Sequence, residues 1–256
     1  MTDAALSLED GEAAAARVLA ARFADLSPLV QDTYRLLGRA LTINPSVELS
    51  KVPLSTQVCS VILTRLGCDL RAAYLVATGG YPLAVMSLAA STYDIAFQVG
   101  YVGANDDRAK AWVENGNPLQ PIISAYDQSL EVFRQWGHRA DEATALAVKE
   151  RDTYHVLCGP KHGNSYYQRY FGRHLIESEH IIEFRIELGP DSRDRALGVT
   201  IYALYHMLRW CLLAASEYGE AHTPAAEISD FRATKLALAE RNEQLGATAN
   251  AEIGSN

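Results

Sequence analysis

The sequence predicts an all-α fold, a single-domain helical bundle of about seven to nine helices. Three observations predict it. Apolar residues recur at intervals of three and four, as in Val58, Ile62, Leu66, Leu70 and Ala73. Hydrophobic residues make up 48% of the 256 positions and charged residues 21%, enough apolar surface for a substantial core. Helix-breaking and capping residues punctuate the periodic segments: Ser27-Pro28, Gly79-Gly80, Pro82 and Gly159-Pro160.

In chain order, the alanine-rich stretch Glu9 to Asp25 predicts a first helix. Ser27-Pro28 opens a second, running to about Leu41, because serine caps and proline suits the first turn. A loop spans Asn44 to Pro53. Leu54 to Thr78 predicts a long helix with one apolar stripe, stopped by Gly79-Gly80. Leu83 to Tyr101 follows, apolar on most sides, so the two helices form a hairpin. Asn105 caps a short helix through Trp112, and Asn115 to Pro121 is a loop. Ile122 to Trp136 and Ala140 to about Leu157 are helical. From Ile181 to Leu188, apolar residues alternate with Glu183, Arg185 and Glu187, which predicts one short strand. Leu197 to Tyr218 reads as a buried helix and Ala225 to Leu245 as the last one. The expected organisation is N-terminal helices over 1–50, the main bundle over 51–245 and a disordered tail over 246–256.

Composition bounds the function. A net charge of −8 argues against a surface devoted wholly to nucleic-acid phosphates, while allowing a local basic patch. Cys59, Cys68, Cys158 and Cys211 form no Cys-x-x-Cys pair and no zinc-ligand spacing, so they read as reduced thiols of a cytoplasmic protein. The N-terminus is acidic, unlike a secretory signal, and the apolar run Val199 to Ala215 is interrupted by His206 and Arg209, so no membrane span is expected. Glycine-rich phosphate loops and a Gly-x-Ser-x-Gly elbow are missing, and no cofactor is expected.

The stretch YHVLCGPKHGN, Tyr154 to Asn164, is where chemistry concentrates. Gly159-Pro160 stops a helix and leaves Lys161, His162 and Asn164 on a rigid turn. Tyr166, Tyr167 and Tyr170 follow, interleaved with Arg169 and Arg173, a mixture able to stack bases and contact phosphates. The competing reading is a helix cap whose tyrosines plug the bundle end. Asp94 sits among Tyr93, Ile95 and Phe97 on an apolar helix, and a buried carboxylate needs a partner or a proton. Arg71, on the other arm of the hairpin, is the nearest candidate partner by topology, Lys161 and His162 are the others, and a structural ion pair is the plain alternative. Glu177-Ser-Glu-His180 is a single Glu-x-x-His where di-iron bundles use two, so no metal is expected.

The segment RAAYLVATGGYPLAVMSLAASTYDIAFQVGYVGANDDRAKAWVENGN, with Asp94 and Trp112, resembles a broad group of bacterial all-helical proteins of unknown function. Tyr154-His-Val-Leu-Cys followed by Lys161-His162-Gly163 is similar to that group's second block, and the two together cover about half of the chain. Where the group often carries an arginine one turn before the acid, this chain has Ala90. The resemblance implies a helical bundle, a bacterial source and distant kinship with HEPN-like proteins of defence systems. HEPN ribonucleases carry an arginine and a histidine with four to six residues between them. Arg169–His174 and Arg173–His180 match, but so would about one or two pairs by chance in a chain this rich in both.

Three functions stay open. The first is an HEPN-like protein that binds or cleaves RNA, with His162 and Asp94 as acid–base groups and Lys161, Asn164, Tyr166, Arg169 and Arg173 on the substrate. The second is a non-catalytic interaction protein, expected to be a homodimer. The third is a small-molecule pocket anchored by Asp94 and His162.

Overall fold

The computed structural model describes residues 8–41, 49–115, 123–162 and 194–254. Among them are nine α-helices: α1 (Leu8–Arg22), α2 (Leu26–Ala40), α3 (Leu54–Thr78), α4 (Pro82–Gly103), α5 (Asp106–Glu114), α6 (Ala125–Gln135), α7 (Ala140–Cys158), α8 (Asp194–His222) and α9 (Ile228–Gly254). The described residues contain no strand, and the alternating stretch 181–188 lies outside them.

The hairpin of α3 and α4 is built by the glycine pair. Gly80 takes φ 86°, a left-handed conformation that costs other residues energy. Its N–H donates to the Ala77 carbonyl and that of Tyr81 to the Val76 carbonyl, closing the last orphan acceptors of α3. Pro82 then opens α4, where its missing N–H costs nothing. Asn105 caps α5 by accepting from the Arg108 N–H, and Ser124 caps α6 by accepting from that of Asp127.

α4 and α8 form the centre. α4 packs against α3, α5, α6, α7 and α8, while α8 packs against α2, α3, α4 and α9. Ala89, Ala90 and Ala96 of α4 are wholly buried, and such small side chains let neighbouring helices approach closely. An aromatic row crosses the bundle: Trp136, Phe133, Phe97, Tyr93 and Trp210 follow at centroid separations of 5.3–5.6 Å. His206 continues it at 5.8 Å, and Tyr154 branches from Tyr93 at 5.1 Å. Edge and tilted contacts of this kind add to the burial of the rings themselves.

α9 is tied back to the N-terminal helices. Arg241 forms a two-pronged pair with Asp25 and a further bond to Asp32, and Arg39 pairs with Asp230. Leu197–His222 alone among the described helices has the length and hydropathy to cross a membrane, and 72% of its most apolar window is buried inside the bundle.

Several boundaries depart from expectation: α1 ends at Arg22, not Asp25, α6 starts at Ala125, not Ile122, α8 runs from Asp194 to His222, beyond Leu197 and Tyr218, and α9 begins at Ile228, not Ala225. α2 starts at Leu26, with Asp25 and not Ser27 in the N-cap position, and the Asp25 carboxylate makes no capping bond but pairs with Arg241. α9 continues to Gly254, past Gly246 where a disordered tail was expected. Gly246 sits where an added Cβ would meet the Tyr205 ring at 2.6 Å, so this glycine permits close packing on α8 and does not end the helix.

Candidate functional site

α4 and α7 bring the described site residues to one corner. Asp94 lies half-buried on α4, one residue after the buried Tyr93. α7 contributes Tyr154 and Cys158 from its last turn, and Gly159-Pro160 carries the chain into the turn that holds Lys161 and His162. The His162 N–H donates to the Cys158 carbonyl at 3.3 Å, which fixes the start of that turn to the helix end.

Electrostatics couples these groups. Burial raises the Asp94 carboxyl above the usual carboxylate range, and the positive charge of Lys161 partly opposes the shift. Burial also pushes the Tyr154 hydroxyl up to about 12, with the Asp94 charge adding to it. The Cys158 thiol is raised by the same two causes, burial first. The Cys158 S–H points at the His155 carbonyl, 3.6 Å away, and the sulfur accepts from the Tyr154 hydroxyl. Asp94, Tyr154, Cys158 and Lys161 therefore form one interacting cluster.

Of the three candidate partners for Asp94, Lys161 is the one whose charge bears on it. Arg71 turns instead to its own helix, its guanidinium 6.0 Å from the Tyr74 ring. No hydrogen bond reaches the Asp94 side chain from the described residues. Lys161 and His162 are both solvent-exposed. Asn164, Tyr166, Arg169 and Arg173 lie outside the described residues, as do Glu177 and His180. Trp112, singled out by resemblance, donates its indole N–H to the Gln98 side chain at 3.3 Å, one turn of α4 beyond Asp94.

One buried network was not foreseen. Glu150 on α7 is 3% exposed. Its carboxylate accepts from both terminal nitrogens of Arg209, at 2.7 Å from Nη1, and from the Trp210 indole at 2.8 Å. Arg209 holds its proton more firmly for it, the Glu150 contacts outweighing the burial that opposes them in direction. His206, one turn earlier on α8, lies between Tyr202 and Tyr205 at centroid distances of 4.5 and 4.7 Å. Burial, and then the charges of Arg209 and Lys149, lower its imidazole to about 3, so the ring is neutral. The sequence carries one weak signal for this network, the Arg209-Trp210 pair inside an apolar helix.

Among the described residues no three His, Cys, Asp or Glu side chains converge as metal ligands. Chemically, the α4–α7 corner offers a carboxyl with raised proton affinity, an ammonium beside it and an exposed imidazole on the next residue. Comparison of the chain with family models, with curated proteins and with solved structures yields no match to any of them.

Proposed function

We propose that this protein is a cytoplasmic, HEPN-like bacterial helical protein of a defence or stress system that binds and cleaves RNA at the α4–α7 corner. The observation that supports it is the juxtaposition of Asp94, its proton affinity raised by burial, with the Lys161 ammonium, and with His162 next in the chain. Such a set suits phosphodiester transfer. His162 accepts the proton of a ribose 2′-hydroxyl as that oxygen attacks phosphorus. The bond from phosphorus to the 5′-oxygen breaks, and the Asp94 carboxylic acid supplies the proton that oxygen needs. Lys161 balances the charge that builds on the phosphoryl oxygens. By residue type, Asn164, Tyr166, Arg169 and Arg173 suit phosphate pairing and base stacking.

A fluorescent single-stranded RNA tests the reading. The parent should release fragments ending in 2′,3′-cyclic phosphate. His162→Ala and Asp94→Asn should each slow cleavage by about 10²–10⁴-fold. Lys161→Ala should weaken binding and reduce its dependence on salt. A parent that neither binds nor cuts RNA, or variants that cut as fast as the parent, would reject the proposal.

Self-association is the second reading, supported by α3. Val61 is 62% exposed and Leu75 53% exposed, and the exposed Cys68 lies midway, seven residues from each. An exposed stripe at heptad spacing suits packing on a second copy. A two-fold axis at its centre would set Cys68 opposite its twin. Mild oxidation should then convert the 28.0 kDa chain into a reducible dimer, and Cys68→Ser should prevent this. A strict monomer by light scattering, with no cross-link, would dismiss it.

A further inference from the structure

A second polar concavity lies apart from the α4–α7 corner. α3 supplies Ser55, Thr56 and Cys59 to it, the C-terminal part of α4 supplies Gly100 and Gly103, and α8 supplies Glu217, Tyr218 and His222. It encloses about 150 Å³. Thr56, Cys59 and Tyr218 are buried at its floor, whereas Gly103 and Ala104 are exposed at its mouth.

The wall spends its hydrogen-bond donors internally. His222 Nδ1 is 2.8 Å from the Tyr218 carbonyl oxygen, which can only accept, so Nδ1 carries the proton and Nε2 is an acceptor. The Thr56 hydroxyl, 2.9 Å away, donates to that Nε2. The Ser60 and Tyr218 hydroxyls lie 2.8 Å apart and both donate to the Thr56 carbonyl, at 2.9 and 3.4 Å. Ser55 Oγ donates to Asp106, and the Cys59 thiol to the Val99 carbonyl. Gln135, also on the wall, turns its side-chain amide to Glu131, and the Glu217 carboxylate is left as the acidic group of the cavity.

Glu217 is held there by design of the backbone. A Cβ on Gly100 would meet Glu217 Oε2 at 3.2 Å and Val132 Cγ2 at 2.9 Å, so the missing side chain seats the carboxylate against α4. Burial raises its proton affinity, and only the Trp136 indole stabilises its ionised form by a hydrogen bond. The nearby Lys235 ammonium is already engaged by Glu220 and by Ser216 Oγ at 2.9 Å. No cation pairs directly with Glu217 among the described residues.

We propose that this cavity binds a small protonated alkylamine of about five heavy atoms, on the scale of ~30 Å³ per water-sized unit, with its ammonium on Glu217. The apolar wall of Val99, Ala104 and Ala221 takes the alkyl part. The carboxylate of Glu217 favours a cation in this cavity over an anion of the same size.

Titration of the full chain with propylammonium, propanol and propionate, followed by amide chemical shifts, tests this. Saturable propylammonium binding is expected, with propanol and propionate weaker by at least about tenfold. Glu217→Gln should weaken the amine by about tenfold or more. Gly103→Leu should block it sterically, since a Cβ there makes only an ordinary 3.4 Å contact with Cys59 Sγ and leaves the fold intact. Asp94→Asn should leave amine binding unchanged, which separates this site from the RNA corner. Absence of saturable amine binding in the parent, equal binding of propanol, or undiminished binding in a folded Glu217→Gln or Gly103→Leu protein would overturn the proposal. Should Glu217→Gln lose the parent's circular dichroism, the Gly103→Leu result decides.

Discussion

Glu150→Ala is expected to cost the fold about 3 kcal/mol, because it removes the buried partner of the Arg209 charge, whose side chain is 27% exposed. Glu150 is 3% exposed and gathers three donors, two from Arg209 and one from Trp210. Alanine would strand the guanidinium and the indole N–H together, at a point where α7 meets α8. Arg209 Nε already has no hydrogen-bond partner, and the Glu243 charge acts on the guanidinium only at longer range. Urea denaturation at neutral pH measures the loss. The paired replacement Glu150→Leu with Arg209→Met should recover most of it, since desolvating two charges offsets much of what their attraction returns. A loss below about 1 kcal/mol for Glu150→Ala would place the pair in effective contact with water, as exposed pairs behave.

Phe231→Ala should cost a comparable amount, about 3–5 kcal/mol, through the transfer of a large ring and the cavity left behind. Phe231 is wholly buried and is the anchor of α9 on α8. Its ring lies over Gly219 so closely that a Cβ there would meet Cζ at 2.2 Å. The Arg39 guanidinium stands 5.9 Å from the ring centroid, over the ring. The same geometry predicts a coupling. Gly219→Ala alone should destabilise by about 1–3 kcal/mol through overpacking. In the Phe231→Ala background the clash is gone, and Gly219→Ala should instead stabilise by up to about 1 kcal/mol, the helix-propensity gain over glycine. Additive effects of the two substitutions in a double-mutant cycle would contradict the packing described.

Local physics explains which features were legible in advance. The α3–α4 hairpin rests on Gly79-Gly80 and Pro82, whose conformational preferences act within a few residues, and it forms where expected. The end of α7 at Cys158 likewise follows from Gly159-Pro160. Glu150 is the opposite case. It sits in the run Lys149-Glu150-Arg151-Asp152, which reads as a solvated face, and its burial depends on Arg209, 59 residues away. Glu217 is hidden in the same manner, since its surroundings come from α4 and α6. Gly246 was misread because a glycine near a chain end signals termination locally, whereas here it answers to Tyr205 on another helix. For Asp94, the apolar neighbours in sequence foretold partial burial, but the choice of Lys161 over Arg71 needed the packing of α7 on α4.

The placement of α8 at the centre has a consequence for biosynthesis. α4 rests against α8, yet α8 begins only at Asp194, more than ninety residues after α4 ends at Gly103. A ribosome therefore releases the apolar face of α4 long before it releases the helix that covers it. Until then the nascent chain holds an open seam through its middle, and it depends on chaperones or on rapid completion of translation to avoid sticking to its neighbours.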